Sequence, residues 1–123
     1  MILFDTSAWI GLMRAGGQAF LDALAEKDVF THDCVIGELA LGSLPQRGVA
    51  LLRLNELSRL PHASHTEIRR LIEIHTLWGR GIGYVDVHLL ASLRLSPGVG
   101  LLTSDTRLTA VAADLNIAAQ IAP

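Results

Sequence analysis

Residues 1–7 are MILFDTS, in which a short apolar run, Ile2–Phe4, is followed directly by Asp5. An apolar run this brief, ended by polar residues, is typical of a buried strand rather than a helix. A second such run at residues 99–103 comes shortly before Asp105. Both stretches therefore predict a buried strand with an acid at its carboxyl end.

The rest of the chain alternates between short extended segments and helical patterns. Further extended segments are predicted at residues 29–31, 59–60 and 117–119. Helices are predicted at residues 6–13, 20–25, 33–43, 51–57, 68–74, 84–95 and 106–115, with Asp33 capping the third and a Ser64–Glu67 capping box before the fifth. This alternation indicates an α/β fold with a mostly parallel central sheet flanked by helices.

Composition limits the classes of protein that the chain can represent. It has 123 residues, of which 50% are hydrophobic and 18% charged, and a mean hydropathy of +0.41. These values predict one folded domain with a real core and exclude an intrinsically disordered chain. The net charge of −2 excludes a strongly basic protein that coats nucleic acid through bulk charge.

Targeting and redox signals are few. The single cysteine, Cys34, excludes a disulfide scaffold and a zinc site built from several cysteines. No basic segment precedes an apolar run as in a signal peptide, and no apolar stretch is long enough to cross a membrane. We therefore expect a cytoplasmic protein.

Two acids occupy strand ends. Asp5 and Asp105 each follow a predicted strand, and residues just past the carboxyl ends of parallel strands line the ligand crevice of open α/β sheets. An Asp between a strand and a helix is also a good N-cap, so a structural role remains the alternative for either residue.

Two further acids lie on helix faces that are otherwise apolar. Glu38 shares its predicted helix face with Val35, and Asp86 shares its face with Leu89, which predicts that both carboxylates face the core. A buried, unpaired carboxylate costs several kcal/mol, so it must be paired, protonated or bound to a metal. Pairing with an arginine such as Arg14 is the structural alternative.

The four acids together point to a cation site. One crevice could collect two acids from strand ends and two from helices, and like charges about 4 Å apart repel by about 4 kcal/mol at an effective dielectric of 20. A set of oxygen ligands suits Mg²⁺ or Mn²⁺ better than structural zinc. Such an ion can activate water and neutralise a phosphodiester.

The aromatic and histidine residues show no comparable pattern. The five histidines are scattered along the chain, and His88, two positions after Asp86, is expected to point away from it as a surface or packed residue. Trp9 and Trp78 are too isolated to form a base-stacking stripe, and both are predicted to lie in the core.

Four motifs in order along the chain resemble the PIN-domain ribonucleases, and in particular the VapC toxins of bacterial toxin–antitoxin pairs. They are DTS at residues 5–7, EL at 38–39, GIGYVDVHLLAS at 81–92 and TSD at 103–105. Each motif alone is weak, but the ordered set is specific and covers nearly the whole chain. The resemblance implies that residues 1–123 form a single PIN-like nuclease domain.

The resemblance also implies a site and a reaction. The acidic quartet that holds Mg²⁺ or Mn²⁺ would be Asp5, Glu38, Asp86 and Asp105, with the hydroxyls of Thr6 and Thr103 in support. Activated water would cleave single-stranded or looped RNA and leave a 3′-hydroxyl and a 5′-phosphate. The family usually forms homodimers and is held inactive by a cognate antitoxin, which also binds operator DNA.

One position departs from the family pattern. Many relatives carry a further acid two residues beyond the position of Asp105, where this chain has Arg107. The departure favours one well-held Mg²⁺, with a second recruited by substrate. Arg107 is instead predicted to contact RNA phosphate.

Two other functions are compatible with parts of the pattern. A PIN-like fold that keeps its acids for structural reasons would be a non-catalytic interaction module. A phosphoryl-transfer enzyme of the haloacid dehalogenase type is the second alternative, but it needs a DxDxT motif, and Ser7 stands where the second Asp should be.

Overall fold

The computed structural model describes residues 1–123 as five strands and seven helices. The strands are β1 (Ile2–Phe4), β2 (Val29–Thr31), β3 (Ser58–Arg59), β4 (Gly100–Thr103) and β5 (Ala119–Ile121). The helices are α1 (Thr6–Ala15), α2 (Gly17–Ala25), α3 (Asp33–Ala40), α4 (Arg47–Asn55), α5 (His65–His75), α6 (Tyr84–Arg94) and α7 (Thr106–Asp114).

The five strands form one sheet in the order β3-β2-β1-β4-β5, and every neighbouring pair is parallel. Parallel strands need crossover connections, and the helices that provide them cover the sheet. This confirms the predicted α/β fold with helices flanking a central sheet, and the sheet is wholly rather than mostly parallel. With β1 at the centre, the carboxyl ends of β1 and β4 lie side by side.

The core contains 23 buried apolar residues drawn from both the sheet and the helices. Leu3 on β1 and Leu101 on β4 are fully buried, and in α6 all seven residues from 87 to 93 are buried. A helix that is buried on every side is held by packing around its whole circumference. None of the helices combines the length and the apolar character that a membrane span requires.

Several element boundaries differ from the sequence prediction. The N-cap of α3 is His32 rather than Asp33, because the Nδ1 atom of His32 accepts a hydrogen bond from the backbone N–H of Cys34. The same helix ends at Ala40 rather than residue 43. The link predicted at residues 59–60 is strand β3, which pairs with β2.

The last strand is displaced by two residues from its predicted position. The N–H of Ile117 still bonds to the carbonyl of Ala112 at the end of α7, and Asn116 adopts a left-handed φ of 60°. The helix termination therefore uses the residues that were predicted to begin the strand. Strand β5 starts at Ala119, opposite Leu101.

The two tryptophans have opposite environments. Trp9 is 0% exposed, as predicted, whereas Trp78 is 60% exposed, so the prediction that both lie in the core is wrong for Trp78. Thr76, the C-cap of α5, adopts a left-handed conformation, and the next residue, Leu77, is buried. The loop thus buries Leu77 and leaves the adjacent indole on the surface.

Candidate active site

Asp5 and Asp105 lie at the carboxyl ends of two adjacent strands, β1 and β4, as the sequence predicts. Each is also the N-cap of the helix that follows. The side chain of Asp5 accepts from the N–H of Ala8, and that of Asp105 accepts from the N–H groups of Arg107 and Leu108. The capping role and the placement at the crevice therefore coexist, since a cap uses only part of the carboxylate's capacity to accept hydrogen bonds.

Thr103 joins these two acids. Its hydroxyl donates to Oδ2 of Asp5 over 2.5 Å and accepts from the backbone N–H of Asp105 over 3.0 Å. Thr103 is 0% exposed and Asp5 only 5% exposed, so water does not compete for these bonds. The hydroxyl fixes the position of both acids relative to each other.

Ser7 provides a second link that the sequence analysis did not assign. Its hydroxyl donates to Oδ1 of Asp5 over 2.6 Å and accepts from the N–H of Ser104 over 2.9 Å. The sequence contains a signal for this link, because a hydroxyl two residues after a capping Asp can reach the carboxylate of that Asp. With the cap to Ala8, the Asp5 carboxylate accepts three hydrogen bonds.

Glu38 reaches the same edge of the sheet from α3. Its Oε1 accepts a hydrogen bond from the hydroxyl of Thr6 over 2.6 Å, which places it beside the start of α1. Glu38 is exposed rather than core-facing, so that part of the prediction is wrong. The buried face of α3 is formed by Val35 and Leu39.

Asp86 is half-buried in the first turn of α6, where its Oδ2 accepts from the N–H of Gly83 over 2.8 Å. Burial raises the pKa of the Asp86 carboxyl, and the negative charges of Asp5, Asp105 and Glu38 raise it further against the opposing effect of the Gly83 hydrogen bond. All three other acids are therefore close enough to act on Asp86 electrostatically.

No arginine neutralises the four acids. The ion pairs of the chain are Met1–Asp28, Arg53–Glu56, Arg59–Asp33, His62–Asp33 and Arg80–Asp114. The structural alternative of a buried arginine partner, for which Arg14 was a candidate, is not realised. The carboxylates remain available to a cation.

Asp86→Asn is expected to increase the free energy of unfolding in EDTA by up to about 1 kcal/mol at pH 7, the scale of one partly screened charge interaction. The amide oxygen keeps the Gly83 cap while the repelling charge is removed. Because the folded pKa of Asp86 is raised, the wild-type protein loses stability as the pH rises from the ordinary value of 3.8 through that folded pKa.

Thermal unfolding of both proteins across this pH range measures the effect. The gain should disappear at low pH, where the wild-type carboxyl is protonated. A gain that is independent of pH, or a loss of stability at neutral pH, contradicts this electrostatic account.

Arg107 lies exposed next to Asp105 and packs across the loop before α6. A Cβ atom added at Gly81 would come within 2.7 Å of Cδ of Arg107, and Gly81 has a φ of +80°. The Arg107 guanidinium takes part in no ion pair or hydrogen bond. A free cation therefore stands beside the acidic edge of the sheet.

The histidines are scattered along the chain but not in the folded protein. The tertiary fold brings four of the five together, His32, His62, His65 and His88, through ring contacts between 4.3 and 6.2 Å. His88 is buried, in agreement with a packed residue. His32 directly follows β2, just as Asp5 directly follows β1. This position at a strand end is the sequence signal that marks His32 as a candidate functional residue.

The chain is similar to proteins of known family. Ribonuclease VapC32 of Mycobacterium tuberculosis, in strains CDC 1551 / Oshkosh and ATCC 25618 / H37Rv, is 44% identical over 118 residues, which are 96% of this chain and 95% of that protein. The crystal structure of PAE2754 from Pyrobaculum aerophilum matches with a TM-score of 0.58 at 20% identity, over 89% of this chain and 84% of that one, and supports the fold alone. No protein-family model matches the chain. Because 44% identity extends over nearly the full length of both sequences, the protein belongs to the VapC family of PIN-domain ribonucleases.

Proposed function

We propose that this protein is a Mg²⁺- or Mn²⁺-dependent endoribonuclease that acts as the toxin of a toxin–antitoxin pair. The observation that carries the proposal is the strand-end pair Asp5 and Asp105, joined by the Thr103 hydroxyl and left without a cationic partner. The similarity to proteins named Ribonuclease VapC32 supports the same activity.

The donor set fits a hard divalent cation. Asp5, Glu38, Asp86 and Asp105 offer only carboxylate oxygens, which Mg²⁺ and Mn²⁺ prefer. Burial, and after it the negative charges of the other three acids, raises the pKa of Asp86, which is consistent with a site that a cation would stabilise. When bound, such an ion neutralises phosphate charge and activates water.

The chain's own residues orient the reaction. The hydroxyls of Ser7 and Thr103 hold both oxygens of the Asp5 carboxylate, and Thr6 holds Glu38, so these carboxylates need little reorganisation when substrate arrives. Arg107 would bind a phosphate of the RNA backbone beside Asp105. Hydrolysis breaks the P–O3′ bond and leaves a 3′-hydroxyl and a 5′-phosphate.

The binding partners that we propose are those implied by membership of the VapC family. We propose an RNA substrate, a cognate antitoxin that covers the acidic groove and binds operator DNA, and a homodimeric, cytoplasmic protein in which residues 1–123 act as one nuclease domain. The net charge of −2 means that RNA binding must rely on local cations such as Arg107.

Cleavage of a mixed RNA pool by the purified protein tests this function. Discrete fragments are expected with Mg²⁺ or Mn²⁺, and they should vanish with EDTA. A true site should also raise the free energy of unfolding by about 2.7 kcal/mol at an ion concentration 100 times the dissociation constant. No cleavage together with no stabilisation by either ion would instead favour a non-catalytic interaction module.

A further inference from the structure

A second group of potential metal ligands, which are imidazole and thiol groups rather than carboxylates, lies beside Glu38. His32 follows β2, Cys34 is in the first turn of α3, and His88 is in the second turn of α6. The ligand atoms of these three residues all lie within 4.8 Å of one another. The sheet edge, α3 and α6 thus bring two imidazoles and the only thiol of the chain to one point.

The group is largely shielded from solvent. His32 is 1% exposed, His88 is 8% exposed, and Cys34 is half-buried. The His62 ring stacks on His32 with centroids 4.3 Å apart, and the His65 ring meets the edge of His88 at 5.2 Å. A cluster closed on most sides and covered by two exposed imidazoles has the form of a small ligand site.

The hydrogen bonds of the cluster are incomplete. Nδ1 of His32 accepts from the N–H of Cys34 over 3.0 Å, but the Nε2 atom is buried without any partner. A buried polar group left without a hydrogen bond destabilises the folded protein. The Nε2 atom of His32 is therefore a buried polar atom with no hydrogen-bond partner within the chain.

We propose that His32, Cys34 and His88 form a binding site for Zn²⁺ whose ligands are separate from the four carboxylates. Imidazole and thiolate suit zinc and are poor ligands for Mg²⁺, which takes oxygen donors. Zn–N bonds of about 2.0–2.1 Å and Zn–S bonds of about 2.3 Å place tetrahedral ligand atoms roughly 3.3–3.6 Å apart. The ligand atoms, which now lie within 4.8 Å of one another, must approach by about 1 Å to reach this geometry, with the fourth position open.

Coordination replaces existing bonds at His32 and Cys34. As it stands, the neutral His32 ring accepts at Nδ1 and carries its proton on Nε2, so binding through either nitrogen breaks the cap on Cys34. The Cys34 S–H bond also breaks, and its proton passes to solvent as the Zn–S bond forms. The Zn–N and Zn–S bonds that form offset the loss of the cap and of the S–H bond.

A bound ion would link two elements of the nuclease site. His32 and Cys34 begin the helix that carries Glu38, and His88 lies on the helix that carries Asp86. Zinc would thus hold α3 to α6 and set the separation of these two acids. The binding itself does not depend on the proposed nuclease function.

Titration of the purified full chain with Zn²⁺ by calorimetry, and with Co²⁺ by absorption spectroscopy, tests the proposal. We expect one high-affinity Zn²⁺ per chain, a thiolate-to-cobalt charge-transfer band and a raised melting temperature. Cys34→Ala and His88→Gln should each weaken Zn²⁺ binding by at least about 100-fold, since even outer-shell substitutions cost 10–100-fold. The Co²⁺ band should be absent in Cys34→Ala.

Two matched variants separate this site from other histidines and from the acids. His75→Gln alters the one histidine outside the cluster, and Asp86→Asn alters the acidic site; both should keep the Zn²⁺ affinity and the Co²⁺ band. Zn²⁺ binding that survives Cys34→Ala and His88→Gln but is lost in Asp86→Asn would place zinc among the acids and overturn the proposal. Zn²⁺ binding no tighter than Mg²⁺ binding would overturn it as well.

Discussion

Asp5→Asn is expected to reduce metal-dependent RNA cleavage by at least about 10²–10³-fold, the scale seen when one preorganised charge-stabilising group is removed from an active site. Asp5 is the most enclosed of the four acids, at 5% exposure, and three hydrogen bonds orient its carboxylate. The amide has nearly the same shape but lacks the negative charge that attracts a divalent cation.

The fold should survive this change. The amide oxygen can still accept from the Ala8 N–H and the Ser7 hydroxyl, so the cap of α1 is retained. The amide nitrogen takes the place of the oxygen that accepts from Thr103, whose hydroxyl must then rotate. This rearrangement involves one buried hydrogen bond, at a cost of about 1–2 kcal/mol.

Initial cleavage rates and thermal unfolding, measured side by side, check both expectations. Glu73→Gln is the matched control, because Glu73 is an exposed acid on α5 and is not one of the four candidate ligands, and it should retain full activity. Full activity of Asp5→Asn would overturn the role of the acidic quartet. Loss of activity in both variants would show that the effect is not specific to the Asp5 carboxylate.

Trp9→Ala is expected to reduce the free energy of unfolding by about 3–5 kcal/mol, the range for removing a large aromatic residue from a core. The indole is 0% exposed and lies between Phe4, at a centroid distance of 4.8 Å, and Phe20, at 5.7 Å. Because Trp9 lies on α1, its removal leaves a cavity where α1 packs against β1. These two elements position Asp5. Denaturant unfolding monitored by circular dichroism gives the change directly.

The second tryptophan provides the control. Trp78→Ala should change the free energy of unfolding by no more than about 0.5 kcal/mol, because its side chain is mostly in water. Trp9→Phe should fall between the two, since it keeps a ring in the core and removes an indole N–H that has no hydrogen-bond partner. Equal losses in Trp9→Ala and Trp78→Ala would contradict the observed burial.

Much of the fold follows from patterns only a few residues long. The apolar run Ile2–Phe4 ends at an Asp that caps the next helix, and the Ser64–Glu67 capping box starts α5 as predicted. Such signals are local, because a cap or a short buried run depends on residues within one turn of each other. The extended link predicted at residues 59–60 is a strand, β3, at Ser58–Arg59, because these two residues pair with β2.

The candidate site was predicted less completely than the fold. Asp5 and Asp105 could be placed from their strand ends, since parallel neighbours share one edge. Helical periodicity misplaced Glu38, because it gives the spacing of side chains on α3 but not which face meets the sheet. The Ser7 link and the histidine cluster depend on partners up to 97 residues away in the chain.

By itself, then, the sequence determined the alternation of strands and helices, the acids at the strand ends and the resemblance to VapC ribonucleases, because each is written in adjacent residues. Only the tertiary structure decided which helix faces turn inward, which tryptophan is buried and which side chains meet. Those outcomes arise from packing between distant segments, where a single exposed or buried position depends on every element around it.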